Sequence, residues 1–262
     1  MNAVAQPTPI RSLDGYTARM KKTLLDKAFF IDKIDAETVV DYGCADGELI
    51  AFLQALFPEK TYVGFDPDVA MLERARTRVP GAQFAATWDD VPGDDAPADD
   101  RADQALVLSS VVHEVYAYST AEEVRTFWDR VFDSGFAFIA LRDMVPSTAV
   151  DRRADLNDVA RIYRHADMNR LKRFESVWGT IENNKALLHW LLKYRYTDNW
   201  EREVEENYLP LYRENLLAMI PDTYEIIYAE HFTLPFLQWQ VRRDFGFRVK
   251  DPTHLKLILQ RC

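Results

Sequence analysis

The chain has 262 residues, of which 48% are hydrophobic and 28% are charged, and its formal net charge at pH 7 is −10. This apolar content excludes a mainly disordered chain, and the length allows one large domain with a buried core. Seven aspartates and one arginine fall within residues 88–104, so more than half of the net charge comes from one segment. The acidic balance therefore argues only mildly against a polyanionic partner.

Neither a membrane span nor a secretory signal is predicted. No apolar run approaches the roughly 18 residues that a span needs, and the first residues lack a basic region followed by an apolar core. Cys44 and Cys262 are isolated, and the five histidines show no short metal-ligand spacing. We expect a cytoplasmic protein with reduced cysteines and no membrane contact. No metal site is expected, although one made of carboxylates stays open, as does the oligomeric state.

Hydrophobic spacing and turn signals predict an alternation of strands and helices. Residues 1–35 are expected to be a helical segment, with an amphipathic helix over 16–30. Helices are predicted after Gly47, after Asp68 and from the capping box Thr120–Glu123. The predicted strands cover 38–42, 61–65, 83–85, 105–108 and 136–141. Such alternation is typical of a parallel sheet that is covered on both faces.

The second half of the chain interrupts this alternation and then resumes it. Residues 142–208 are helical, aromatic and charged, whereas a helix over 209–220 and strands over 224–229 and 254–259 follow. We therefore predict one α/β domain with a helical insertion after the fifth strand. The core is assigned to 36–144 and 209–262, and the insertion to 145–208.

The most informative segment runs from Val40 to Gly47, and Asp66 closes the next strand. A strand, a tight turn and a helix N-terminus form a ligand site at the carboxyl edge of a parallel sheet, where an acid can bind ribose hydroxyls. The glycines do not follow the dinucleotide spacing, and Asp41 and Asp46 would repel a pyrophosphate. The charges favour a cofactor with an ammonium and a sulfonium, which describes S-adenosylmethionine.

These residues resemble the class I S-adenosylmethionine-dependent methyltransferases. Asp41 to Gly47 is similar to the family's acidic-x-Gly-x-Gly-x-Gly loop, with Ala45 in place of the middle glycine, and Asp66 matches its ribose-binding acid. The resemblance covers about residues 36–144 and 209–261. It implies a Rossmann-like, doubly wound, mostly parallel seven-stranded sheet with an antiparallel last strand, and an enzyme that converts S-adenosylmethionine to S-adenosylhomocysteine.

The resemblance also implies where the cofactor is bound. Trp88 would pack on the adenine and Asp89 would accept from its amine, unless Trp88 is a core residue and Asp89 only opens the acidic loop. Tyr16 and Arg19 would cover the cofactor's carboxylate, unless they lie on a solvated helix face. The full predicted set is Tyr16, Arg19, Asp41, Gly43, Cys44, Ala45, Gly47, Asp66, Pro67, Trp88, Asp89 and Ser109.

His113, which follows the fourth strand, is the predicted catalytic residue. At this edge it could act as a general base, and the alternative is a structural histidine held by a hydrogen bond. Arg142 and Asp143 lie at the same edge, where internal ion pairing is the simpler interpretation.

The insertion is expected to determine the acceptor. Residues 152–173 are rich in lysine and arginine, and 189–200 mix aromatic with basic side chains. We predict a lid that encloses a small or medium-sized acceptor. The alternatives are an RNA or DNA methyltransferase that uses the surface of residues 152–200, and a non-catalytic cofactor-binding relative.

Overall fold

The computed structural model describes residues 23–91, 101 and 103–262, and its described strands form a single seven-stranded sheet. The strands are β1 Thr38–Tyr42, β2 Thr61–Phe65, β3 Gln83–Ala85, β4 Gln104–Ser109, β5 Phe138–Asp143, β6 Tyr224–Phe232 and β7 His254–Arg261. Their order is β3-β2-β1-β4-β5-β7-β6, with β1 to β5 parallel and β7 antiparallel to both of its neighbours. The predicted Rossmann-like sheet with an antiparallel last strand is confirmed.

Helices connect the strands and build the second half of the chain. They are α1 Leu24–Lys27, α2 Glu48–Leu56, α3 Val69–Arg78, α4 Val112–Tyr118, α5 Ala121–Asp133, α6 Leu156–His165, α7 Met168–Trp178, α8 Asn184–Lys193, α9 Trp200–Glu205, α10 Arg213–Met219 and α11 Pro235–Phe245. The predicted capping box is present at the start of α5. None of the helices in the described ranges is long and apolar enough to cross a bilayer.

The sheet is buried on both faces because neighbouring residues of its central strands enter different cores. Val39 packs in a cluster with Leu53, whereas Val40 packs in a second cluster with Leu106 and Leu141. Successive side chains of a strand point to opposite faces, so one apolar run supplies both layers. This is why the strands read as continuous apolar segments rather than as alternating ones.

A third core belongs to a helical unit, which we define as residues 145–209 and 234–250. Its buried side chains come from α6 to α9 and from α11, with Trp190 fully buried at the centre. The sequence analysis missed α11 and assigned all of 209–262 to the sheet domain. In the structure α11 leaves the sheet after β6 and places Leu237, Val241 and Phe245 in the core of the helical unit.

Several element boundaries also differ from the predictions. The helix predicted over 209–220 begins only at Arg213, since the residue before Pro210 is biased away from helical backbone. The strand predicted over 224–229 continues to Phe232 because it pairs with β7 along this length. Of the helix predicted over 16–30, the structure describes residues from 23 onward, where α1 covers Leu24–Lys27.

Gly64 offers a test of the packing beneath the β1 turn. A Cβ at this position would lie 2.7 Å from Cys44 Sγ and 2.7 Å from Phe84 Cδ1. We expect Gly64→Ala to lower the free energy of unfolding in urea by about 1–3 kcal/mol, because a packed core resists added volume. Gly81→Ala is the control, since its Cβ would meet only the mobile amide of Gln54, at 3.2 Å. Equal losses in the two variants would contradict this account.

Candidate active site

The turn after β1 is held by the end of β2. Gly43 N and Cys44 N donate to Phe65 O at 2.8 and 2.9 Å, and Ala45 N donates to Asp66 Oδ2 at 2.8 Å. The other oxygen of Asp66 accepts from Asp68 N at 2.9 Å. The two carboxylate oxygens therefore fix the turn and the start of α3 relative to each other.

The backbone of this turn passes through left-handed conformations. Gly43, Ala45 and Gly47 have φ values of 75°, 47° and 74°. Ala45 takes up this strained conformation where the family has a glycine, and its hydrogen bond to Asp66 offsets part of the cost. At Gly43 a side chain is also excluded by space, because a Cβ would lie 2.6 Å from Val111 Cγ2.

The two aspartates that flank the turn are not equivalent. Asp46 is buried and its Oδ2 lies 2.9 Å from Arg78 Nη2, so its charge is neutralised within the protein. Asp41 is buried too, and burial raises its pKa to about 7 although Lys27 partly opposes this shift. The sequence argument that both acids face a cationic ligand is therefore wrong for Asp46.

For Trp88 and Asp89 the structure favours the alternative interpretation. Trp88 is 5% exposed and lies in the core, with its ring centroid 5.1 Å from that of Tyr42 and 5.6 Å from that of Phe65. It offers no free face to an adenine. Asp89 is on the surface and pairs with Arg130 at 2.5 Å.

Three other predicted cofactor residues have different outcomes. Ser109 ends β4 at the carboxyl edge and is buried. Cys44 is also buried, which raises the pKa of its thiol and keeps it neutral. Pro67 is exposed directly after Asp66. Tyr16 and Arg19 lie outside the described residues.

His113 sits in the first turn of α4 and is oriented by Asp143 at the end of β5. Asp143 Oδ1 lies 2.8 Å from His113 Nδ1, and Asp143 Oδ2 accepts from His113 N at 3.2 Å. Met144 N also donates to this carboxylate, at 2.7 Å. This arrangement fixes the ring and leaves Nε2 as its available nitrogen.

The charge state of His113 follows from its neighbours. Burial disfavours the imidazolium, but the charge and hydrogen bond of Asp143, together with the charges of Glu206 and Glu114, outweigh burial and raise the pKa of His113 to about 9. The same pair lowers the pKa of Asp143 to about 2, against the opposing effect of burial. In this state the imidazole has no lone pair at neutral pH, which works against the predicted role as a general base.

Two residues of the helical unit, Glu206 and Tyr208, lie beside His113. Glu206 Oε1 lies 3.5 Å from His113 Nε2, and the Tyr208 ring centroid lies 5.3 Å from the imidazole centroid. One ligand atom each of His113, Glu114 and Glu206 lies within 4.8 Å of the other two. These three side chains could hold a cation. Sequence spacing could not reveal the set, because Glu206 belongs to a distant segment of the chain.

Arg142 and Asp143 do not pair with each other. Arg142 contacts Asp26 of α1 at 2.8 Å and Ser110 Oγ at 2.7 Å. Ser110 also has a left-handed backbone, with φ of 60°, and its N–H donates to Arg142 O. Strain of this kind tends to occur where a fold positions functional groups. Here it turns the chain from β4 into the helix that carries His113.

Comparisons with known proteins agree with this architecture. Residues 40–134 match the family model of the methyltransferase domain. A trans-aconitate 2-methyltransferase from Methylobacterium radiotolerans is 43% identical over 53 residues, 19% of this chain and 20% of that protein. One from Variovorax paradoxus is 43% identical over 67 residues, 24% of this chain and 25% of that protein. The matched segments thus span only about a fifth to a quarter of these relatives.

Among solved structures, the pyocyanin biosynthetic protein PhzM shares the fold. Its TM-score is 0.54 at 11% identity, over 96% of this chain and 60% of that chain. The predicted resemblance to methyltransferases is confirmed over residues 40–134, which match the model of the methyltransferase domain.

The pairing of His113 with Asp143 predicts a pH-dependent stability. We expect Asp143→Asn to lower the free energy of unfolding by about 3 kcal/mol at pH 6, because it leaves a buried imidazolium without its counter-charge. The pKa of His113 is raised to about 9 in the folded protein, so the pair's contribution is complete below pH 6.5 and is lost as the pH rises through 9. The difference between wild type and Asp143→Asn should therefore shrink between pH 6 and pH 9.5.

Urea unfolding at several pH values measures this difference. Asp133→Asn, at the end of α5 and away from His113, is the control and should show no such trend. A destabilisation by Asp143→Asn that grows with pH would show that the pair is not ionised as described.

Proposed function

We propose that the protein is an S-adenosylmethionine-dependent methyltransferase whose small or medium-sized acceptor is enclosed by the helical unit. The observation that carries this proposal is Asp66 at the end of β2, bonded to Ala45 in the glycine turn after β1. In open α/β sheets ligands bind at this carboxyl edge, and the acid after the second strand binds ribose hydroxyls. Each oxygen of Asp66 keeps a further lone pair for such a contact.

The local backbone supports a nucleoside cofactor without a pyrophosphate. Gly43, Ala45 and Gly47 present little side chain, so the backbone can approach a ligand closely. Asp41 and Asp66 lie beside this turn, and a cationic cofactor would favour the charged form of both carboxyl groups, whose pKa values burial raises. The proposed contact set is Asp41, Gly43, Cys44, Ala45, Gly47, Asp66, Pro67 and Ser109.

The chain contributes positioning and exclusion of water to the reaction. When bound, the cofactor supplies a methyl group on a sulfonium, and the C–S electron pair returns to sulfur on transfer. His113 approaches the acceptor position from the sheet edge, while Glu206 and Tyr208 approach it from the helical unit. Holding the acceptor in line between these two sides lowers the entropic part of the barrier.

The packing of the helical unit favours a small acceptor over a nucleic acid. Trp190, Tyr194 and Trp200 are buried in its core and cannot stack on bases. Several of its arginines are engaged within the protein: Arg152 with Asp251, Arg173 with Glu205, and Arg161 with Gly246 O. This removes both the aromatic platform and much of the free cationic surface.

The acceptor named for the curated relatives is not carried over to this chain. Their similarity covers at most a quarter of the chain, and trans-aconitate is an anion. Glu114 and Glu206 lie beside His113, and an anion bound there would meet the carboxylate of Glu206, while burial raises the pKa of Glu114 to about 7.

The cofactor assignment is tested by calorimetry with S-adenosylhomocysteine. We expect saturable binding that Asp66→Ala weakens by about 100-fold or more, because two or more hydrogen bonds to a charged group are lost. Asp89→Ala is the control and should bind like wild type, since Asp89 pairs with Arg130 on the surface. Saturable binding of NAD with no response to S-adenosylhomocysteine would overturn the proposal.

The acceptor class is tested by binding to RNA and DNA oligonucleotides at 50 and 200 mM salt. We expect no submicromolar binding at either salt concentration, because several of the basic side chains are paired and Trp190, Tyr194 and Trp200 are buried. Submicromolar binding that falls steeply with salt would show phosphate contacts and would favour the nucleic-acid alternative.

A further inference from the structure

His113, Glu114 and Glu206 converge from two parts of the chain. One ligand atom of each lies within 4.8 Å of the other two. Donor atoms that share one ion at about 2.0–2.2 Å stand about 3–4 Å apart, so the observed separations need little adjustment. Glu114 is partly exposed, whereas His113 and Glu206 are buried, which leaves the cluster open on one side.

The imidazole of His113 is oriented as a ligand, and a cation that binds it would displace the proton on Nε2, because a ligating histidine is neutral. Its Nδ1 is 2.8 Å from Asp143 Oδ1, and this contact leaves Nε2 directed at the cluster. Asp143 is itself held by the backbone N–H groups of His113 and Met144. A carboxylate that fixes the second nitrogen of a ligating histidine is the usual outer partner in metal sites.

Glu206 provides an independent observation. It is 4% exposed, and its Oε1 has no hydrogen-bond partner among the described residues. His113 Nε2 lies 3.5 Å from this oxygen, which is longer than a normal hydrogen bond. A buried carboxylate oxygen without a partner is costly, so it requires an explanation. A cation between Glu206 and His113 would satisfy it.

We infer that His113, Glu114 and Glu206 form a binding site for one divalent cation of the first transition row. An imidazole nitrogen with two carboxylates suits Mn²⁺ or Zn²⁺ better than Mg²⁺ or Ca²⁺, which prefer an all-oxygen set. No short spacing in the sequence predicts this site, because its ligands come from α4 and from the segment after α9.

The role of the cation rests on the proposed function. Three protein ligands leave open positions, and one of these would bind a hydroxyl oxygen of the acceptor. Bound in this way, the hydroxyl releases its proton to solvent more readily. The oxygen then forms its bond to the methyl carbon as the C–S bond of the cofactor breaks. His113 would act as a ligand rather than as a general base.

Metal binding is tested on the full chain after treatment with EDTA and buffer exchange. Titration with MnCl₂ and with ZnCl₂ in a calorimeter should show one saturable site per chain. Glu206→Gln should weaken binding by at least about tenfold, and Asp143→Asn by about 10–100-fold, since it acts only through His113. Glu205→Gln is the matched control: this neighbour pairs with Arg173 on the surface and its variant should bind like wild type.

Circular dichroism of each variant confirms that a loss of binding is not a loss of folding. If Asp143→Asn does not fold, Glu206→Gln decides the outcome alone. No saturable binding of either ion to wild type, or equal binding by Glu206→Gln and wild type, would overturn the inference.

Parallel titration with S-adenosylhomocysteine separates this inference from the proposed function. Binding of the metal but not of S-adenosylhomocysteine would support the cation site and reject the methyltransferase. Binding of S-adenosylhomocysteine but not of either metal ion would do the reverse.

Discussion

The arrangement at the carboxyl edge of the sheet depends on one carboxylate, that of Asp143. It ends β5, accepts from the backbone and the ring of His113, and also accepts from Met144 N, the first residue beyond the strand. Three elements, namely β5, α4 and the entry to the helical unit, are thereby fixed by one buried charge. Removing the carboxylate would leave the donors of His113 and Met144 without their acceptor, and unsatisfied buried donors are costly.

The fold was largely predictable because its signals are local. The apolar run of β1, the glycine turn and Asp66 follow one another within a short segment, and each has its own physical reason. The capping box at Thr120 is a similar local signal. Strand β6 and helix α10 were predicted with wrong bounds, because pairing with β7 and the proline at 210 set their limits.

What the sequence could not predict depends on contacts between distant segments. From its position in the sequence, Asp46 is expected to face the ligand, whereas in the structure it pairs with Arg78 of α3. From its position in the sequence, Trp88 is expected to pack on the adenine, whereas in the structure it packs against Tyr42 and Phe65 in the core. Glu206 carries no recognisable motif, and only the packing of the helical unit brings it to His113. In each case the side chain's partner, rather than its type, determines its role.

The discontinuity of the helical unit affects how this protein could evolve or be dissected. Its core is made of two stretches that lie on either side of β6, so neither stretch buries its apolar face alone. Deleting only residues 145–209 would expose Leu237, Val241 and Phe245 of α11 to solvent. The resulting apolar surface would favour aggregation. To change the acceptor by replacing the helical unit, both stretches would have to be replaced together. Strand β6, which lies between them in the sequence, would be kept.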